Sequence, residues 1–174
     1  MRRTFLIYGE MFMCNVNNTK IINKAYSILD RETPLRTDCG RMCNSKCCKG
    51  SDDDGMLLFP GEEELFRSRE DFTVYYDERY NSYCVSCHGV CDRNIRPLSC
   101  RIFPYMIYLN DDLKPTIAPD IRAIEFCPVL KSEIKLDKKF LRALRICASY
   151  LCKYPEYSAF IAEITAKLTD FNSL

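Results

Sequence analysis

This sequence predicts an α+β fold, mainly helical, and three observations carry that expectation. Apolar residues recur at helical spacing near the start (Ile21, Ile22, Ala25, Tyr26, Ile28, Leu29). They do so again near the end, in two stripes: Leu136, Phe140, Leu141, Leu144, Cys147, Ala148 and Leu151, then Phe160, Ile161, Ile164 and Leu168. Short β-rich runs, Phe72 to Tyr76 and Tyr105 to Leu109, lie between them. Two polar, cysteine-rich stretches show neither period and read as irregular loops.

Taken in chain order, residues 4–13 read as a strand or a short buried segment. Asn17-Asn18-Thr19 offers N-cap chemistry for the first helix, and Pro34 ends it. Residues 39–55 are loop-like. Asp52-Asp53-Asp54-Gly55 lacks the ligand alternation and distal Glu of a calcium loop, so it reads as a solvated turn. Pro60-Gly61-Glu62-Glu63-Glu64 starts a short helix, its acids in the first turn where the dipole favours them. Residues 81–93 read as loop. Ile95 to Phe103 reads as a helix with Pro97 in its first turn. Tyr105 to Leu109, the turn Asn110-Asp111-Asp112 and Leu113 to Ile117 form a small hairpin. The two C-terminal stripes, parted by Tyr154-Pro155, form a helical hairpin. There is no internal repeat, low-complexity tract or linker. The expectation is a single domain over 1–174.

Charge narrows the function. Lys+Arg is 25 and Asp+Glu is 24, a formal net charge of +1. A nucleic-acid binder working by bulk charge would show a basic excess, so nucleic acid is not an expected partner. Arg2-Arg3 precede an apolar run of only Phe5 to Tyr8, broken by Gly9 and Glu10, which is too short for a secretory signal. No stretch approaches the roughly 18 apolar residues of a membrane span. The expected location is cytoplasmic, with no membrane partner and with thiols kept reduced.

Cysteine is the anomaly: 12 residues, against one His and no Trp. A single His excludes His-rich metal sites and any mechanism needing two imidazoles. Cys39, Cys43, Cys47 and Cys48 form one knot. Cys84, Cys87 and Cys91 form a second, with Cys100 close behind. Adjacent Cys47 and Cys48 cannot easily bond to each other, which disfavours a disulfide framework. At this density in a reducing compartment, metal is expected before disulfides. Thiolates are soft ligands for zinc or iron–sulfur clusters, and two separated groups suit a site stitched from two loops.

The expected central ligands are Cys39, Cys43, Cys47, Cys48, Cys91 and Cys100, with Cys84 and Cys87 next. Eight thiols exceed one tetrahedral zinc. Two centres, a cluster with spare thiols, and thiols outside the ligand shell all stay open. Residues 39–130 would then be a cysteine-cluster metal-binding core with metal-stapled loops, and 131–174 the C-terminal helical hairpin. Arg41, Lys46, Lys49, Arg93, Arg96 and Arg101 flank the cysteines and would offset an anionic centre. Arg96, between Ile95 and Pro97, also suits a buried structural role. His88 reads as a loop residue or an alternative ligand, and Cys127 is open. Cys14, Cys147 and Cys152 read as core filling.

Cys39-Gly-Arg-Met-Cys43-Asn-Ser-Lys-Cys47-Cys48 resembles the opening motif of a bacterial cysteine-cluster family described as zinc- or iron-chelating. Gly89-Val90-Cys91 with Arg96-Pro97-Leu98-Ser99-Cys100-Arg101-Ile102-Phe103-Pro104 resembles its second motif. The resemblance covers about residues 39–130. This chain has three residues in each gap of the first motif where the family has two. It implies metal binding and leaves open which of Cys47 and Cys48, and which of Cys84 and Cys87, ligate. Flagellin lysine N-methylases are similar to that family, which makes iron–sulfur-dependent methyl transfer on a protein substrate an alternative. A redox centre is another. No Gly-rich nucleotide turn accompanies it. A thiol oxidoreductase on Cys84-Val-Ser-Cys87 lacks the βαβ context such a pair needs. No catalytic residue is singled out.

Overall fold

The computed structural model describes residues 18–48, 55–87, 92–132 and 134–170. These residues form a small α+β fold of short helices and two antiparallel sheets, closed by two long helices. The expected strand at 4–13, the Asp52–Asp54 turn, Cys14, Lys49, His88 and Cys91 lie outside them.

Helix α1 (residues 18–29 of the described chain) turns Ile21, Ile22, Ala25 and Leu29 inward. Its path stops before Pro34, whose ring and missing N–H oppose a longer helix. Residues 39–48, expected as loop, carry two helical turns instead: α2 (Gly40–Cys43) and a 3-10 turn (Lys46–Cys48). Local chemistry makes them. Asp38 accepts from the Gly40 N–H at 3.1 Å, and Asn44 and Ser45 take left-handed φ of 51° and 53° to end α2.

A three-stranded sheet follows, ordered β1 (Met56–Leu57), β3 (Ser82–Ser86), β2 (Thr73–Asp77). Strand β3 falls within the expected loop 81–93. It forms because Tyr83 and Val85 alternate with small residues, and because residues 78–81 make a tight return with Asn81 at φ 51°. Helix α3 (Glu63–Phe66) starts where the acidic run predicts. Gly61 before it has φ +85°, and a Cβ there would lie 2.6 Å from Asn18 Cβ, so glycine is required twice over.

The expected helix 95–103 is divided. Arg93–Ile95 is a 3-10 turn, Pro97 is the extended N-cap with φ −55° and ψ 157°, and α4 (Leu98–Ile102) begins after it. Pro97 biases Arg96 away from helix, so one continuous helix cannot form. The expected hairpin forms, β4 (Tyr105–Leu109) with β5 (Pro115–Pro119), Ile107 opposite Ile117; its return strand starts at Pro115 and not Leu113, because Leu113 takes φ 58° and stays in the turn. Short helices α5 (Ile121–Ile124) and α6 (Pro128–Lys131) lead to α7 (Lys138–Leu151) and α8 (Pro155–Asp170). Asp137 caps α7 by accepting from Lys139 N–H at 2.9 Å, and Pro155 opens α8.

The main core joins α1, α4, α7 and α8. Ile22, Leu29, Leu98, Phe140, Leu144, Cys147, Leu151 and Tyr157 are all fully buried in it. No helix among the described residues is long and apolar enough to cross a membrane.

Candidate metal centre

Two short elements and one proline-bounded helix bring thiols to one place. Cys39 is the N-cap of α2, Cys47 and Cys48 lie on the 3-10 turn, and Cys100 sits in α4. All four line one cavity of about 40 Å³, together with Met56, Arg96 and Phe103. Among the described residues its lining holds four thiols, a thioether, a guanidinium and a phenyl ring, with no carboxylate or imidazole. That is a soft donor set beside one fixed positive charge. The Cys47 and Cys48 sulfurs are 4.0 Å apart. Four sulfurs at about 2.3 Å from one ion would lie about 3.8 Å from each other. Among the described residues, no three His, Cys, Asp or Glu are already gathered as a closed ligand set. Closing around an ion would fall to the 3-10 turn, where Cys47 is exposed.

Cys43 is half-buried and turns back on α2, its thiol 3.9 Å from the Gly40 carbonyl. Cys127 lies close by as the N-cap of α6, with Cys39 and Phe103 packed against its cluster. Burial pushes the Cys39 thiol above its ordinary value. The neighbouring Asp38 carboxylate adds to that, and Arg96 opposes it. Arg96 is thus the cation that faces this site. Arg41 and Lys46 are exposed. Arg101 is buried and has a structural post: its Nε donates to the Arg96 carbonyl at 2.8 Å and its Nη2 to the Asn94 carbonyl at 2.7 Å.

The second expected group is divided. Cys84 on β3 is 1% exposed and packs with Leu57, Ile164 and Leu168, away from the thiol cavity. Burial pushes its thiol up to about 12. Cys87 is half-buried against the cluster of Leu58, Phe66, Phe72 and Val85. Cys84 lies on β3 and Cys87 directly follows it, in an antiparallel sheet with no βαβ unit among the described residues. Cys147 fills the main core, its thiol also pushed up to about 12 by burial. The ten described cysteines form no disulfide with one another.

Glu62 meets the start of α4, the helix that carries Cys100. Its carboxylate is fully buried and accepts three hydrogen bonds: from Tyr26 Oη at 2.5 Å, Phe59 N–H at 2.7 Å and Leu98 N–H at 2.7 Å. Burial pushes its carboxyl up to about 7 against the pull of those donors. In the sequence Glu62 looks like one of three interchangeable helix-start acids. Only Glu63 and Glu64 occupy the first turn; Glu62 is turned inward at the N-cap. Cys127 meets Cys39 88 residues away in the chain, and Glu62 meets Leu98 36 away, separations that carry no local pattern. No family model matches the chain, and no curated protein or solved structure does.

Proposed function

We propose that this chain is a metal-binding protein whose centre is held by clustered cysteine thiolates. Cys39, Cys47, Cys48 and Cys100 form the inner set, Cys43 and Cys127 adjoin it, and Cys91 is a further candidate from the sequence. The single observation that carries the reading is that the four inner thiols line one cavity, with no carboxylate or imidazole among the described residues of its lining. Zinc or an iron–sulfur cluster would suit that donor set. The cluster is the second reading; four thiolates around either group leave a net negative charge, which Arg96 in the lining would offset. In this reading the thiols work reduced, in the cytoplasm, and the centre cross-links irregular loops or serves a protein partner or protein substrate. Cys84, 1% exposed in an apolar cluster, is left out of the set.

The test is zinc, iron and acid-labile sulfide content, with a visible spectrum, on the full chain purified without oxygen. Stoichiometric zinc in a colourless sample, or iron with sulfide in a brown one, is expected. Chelation should lower the melting temperature, and Cys100→Ser should abolish retention. A chain that holds neither metal and melts identically with and without chelator overturns the proposal.

A further inference from the structure

We infer that Glu62, together with Tyr26, is a positioning residue for the thiol cavity. It holds the 94–103 segment where Arg96 and Cys100 meet the Cys39–Cys48 knot. Its functional meaning rests on the thiol-centre reading above, but its geometry does not.

Pro97 is the N-cap of α4 and offers no side-chain oxygen, so the first amide of the helix needs a partner from elsewhere. Glu62 supplies it. Oε1 takes the Leu98 N–H and also the Tyr26 hydroxyl, while Oε2 takes the Phe59 N–H. One carboxylate therefore ties α1, the start of α3 and the start of α4 together. Arg101 completes the brace from the other side. Its guanidinium stacks 4.4 Å from the Tyr26 ring centroid, and it clamps the carbonyls of Arg96 and Asn94. A third bond, Ser99 Oγ to the Leu57 carbonyl at 2.5 Å, fastens α4 to β1. All three residues that this segment gives to the cavity lie within two positions of a brace contact: Cys100 beside Ser99 and Arg101, Phe103 two beyond Arg101, and Arg96 at the clamped carbonyl.

The residue types matter. A fully buried carboxylate costs desolvation that an apolar side chain of equal volume would not. What it gains is direction, since three donors fix both oxygens. Gln at this position has one acceptor oxygen and one NH2. Either the Phe59 amide or the Leu98 amide and Tyr26 hydroxyl must then face a donor. The brace would loosen on one side with its volume unchanged.

The experiment uses the reduced, metal-free full chain and dibromobimane, which fluoresces only after bridging two thiols, with the bridged peptides mapped by mass. The Cys47–Cys48 bridge lies within one turn and serves as the internal standard. In the wild type, Cys100 should bridge to the knot. Glu62→Gln should lower the ratio of Cys100 bridges to the standard by about fivefold, the shift one lost buried hydrogen bond gives. Tyr26→Phe should lower it less, and it decides the matter if Glu62→Gln does not fold. Ile161→Val, a core change remote from the brace, should leave the ratio unchanged. The inference is overturned if the folded brace variants keep the wild-type ratio, or if Ile161→Val lowers it equally. The two proposals separate cleanly. A chain that takes up neither zinc nor iron, yet loses Cys100 bridging in Glu62→Gln, keeps the brace and loses the metal assignment.

Discussion

Cys47 and Cys147 are the same residue under opposite physics. Cys147 sits in the middle of α7, fully buried, and its neighbours are the apolar side chains of α1, α7 and α8. It behaves as a small hydrophobe there, and burial holds its proton. Cys47 sits exposed on a three-residue 3-10 turn, in a segment with no buried residue of its own. The C-terminal region is held by packing; the thiol knot is held by capping bonds, two left-handed residues and its contact with α4. The difference teaches where this chain spends its apolar surface. The region richest in chemistry-bearing side chains is the one with least core to hold it, which is where a cross-linking metal would add most.

Thiol reactivity should break or confirm that contrast most directly. Alkylation of the folded, metal-free chain should label Cys47 at least about a thousandfold faster than Cys84 or Cys147, whose exposure requires opening on the scale of global stability. Mass mapping of a timed alkylation reads it. Equal rates would mean that the α7–α8 core is not packed as described.

Stability should show the same division at smaller scale. Phe140→Ala, at a fully buried position, should cost about 3–5 kcal/mol in urea unfolding. Cys47→Ser, at an exposed one, should stay within about 0.5 kcal/mol in the metal-free chain.

Glu62 sharpens the comparison, since it lies where the two regions meet. Its carboxyl is raised from the ordinary 4.5 to about 7, so the folded chain binds a proton there more tightly than the unfolded chain. The stability this contributes is full below pH 4.5 and is lost as pH rises through about 7. The total is about 3 kcal/mol. Unfolding followed between those pH values in wild type and Glu62→Gln should show the slope in the first and its loss in the second.

The smallest effect belongs to the surface of α8. Lys167 pairs with Glu163 at 3.0 Å in the favourable i,i+4 order, with the carboxylate 42% exposed. Lys167→Ala should cost no more than about 0.5 kcal/mol, and less at high salt. A larger loss would mean that charge, not packing, secures the C-terminal hairpin.

By itself the sequence determined the elements whose information is local. The 3.6-residue stripe from Phe140 to Leu151, the Tyr154-Pro155 break, the β4–β5 hairpin and the helix stop before Pro34 can be read from neighbouring residues, because periodicity and turn chemistry act over a few positions. It also determined that thiols gather near 39–48 and near 84–100. Tertiary structure alone decided which thiols share a cavity. The sequence ranks Cys84 just behind Cys100 as a ligand, but pairing Tyr75 with Cys84 in the sheet turns one into an apolar cluster, while Pro97 starts α4 so that the other meets the knot. Strand β3 was hidden for the same reason: Ser-Tyr-Cys-Val-Ser acquires strand character only when β1 and β2 flank it. Glu62 turns inward to accept from the Leu98 N–H, 36 residues away. Contacts across such separations depend on how elements pack, and no local pattern of residues specifies that.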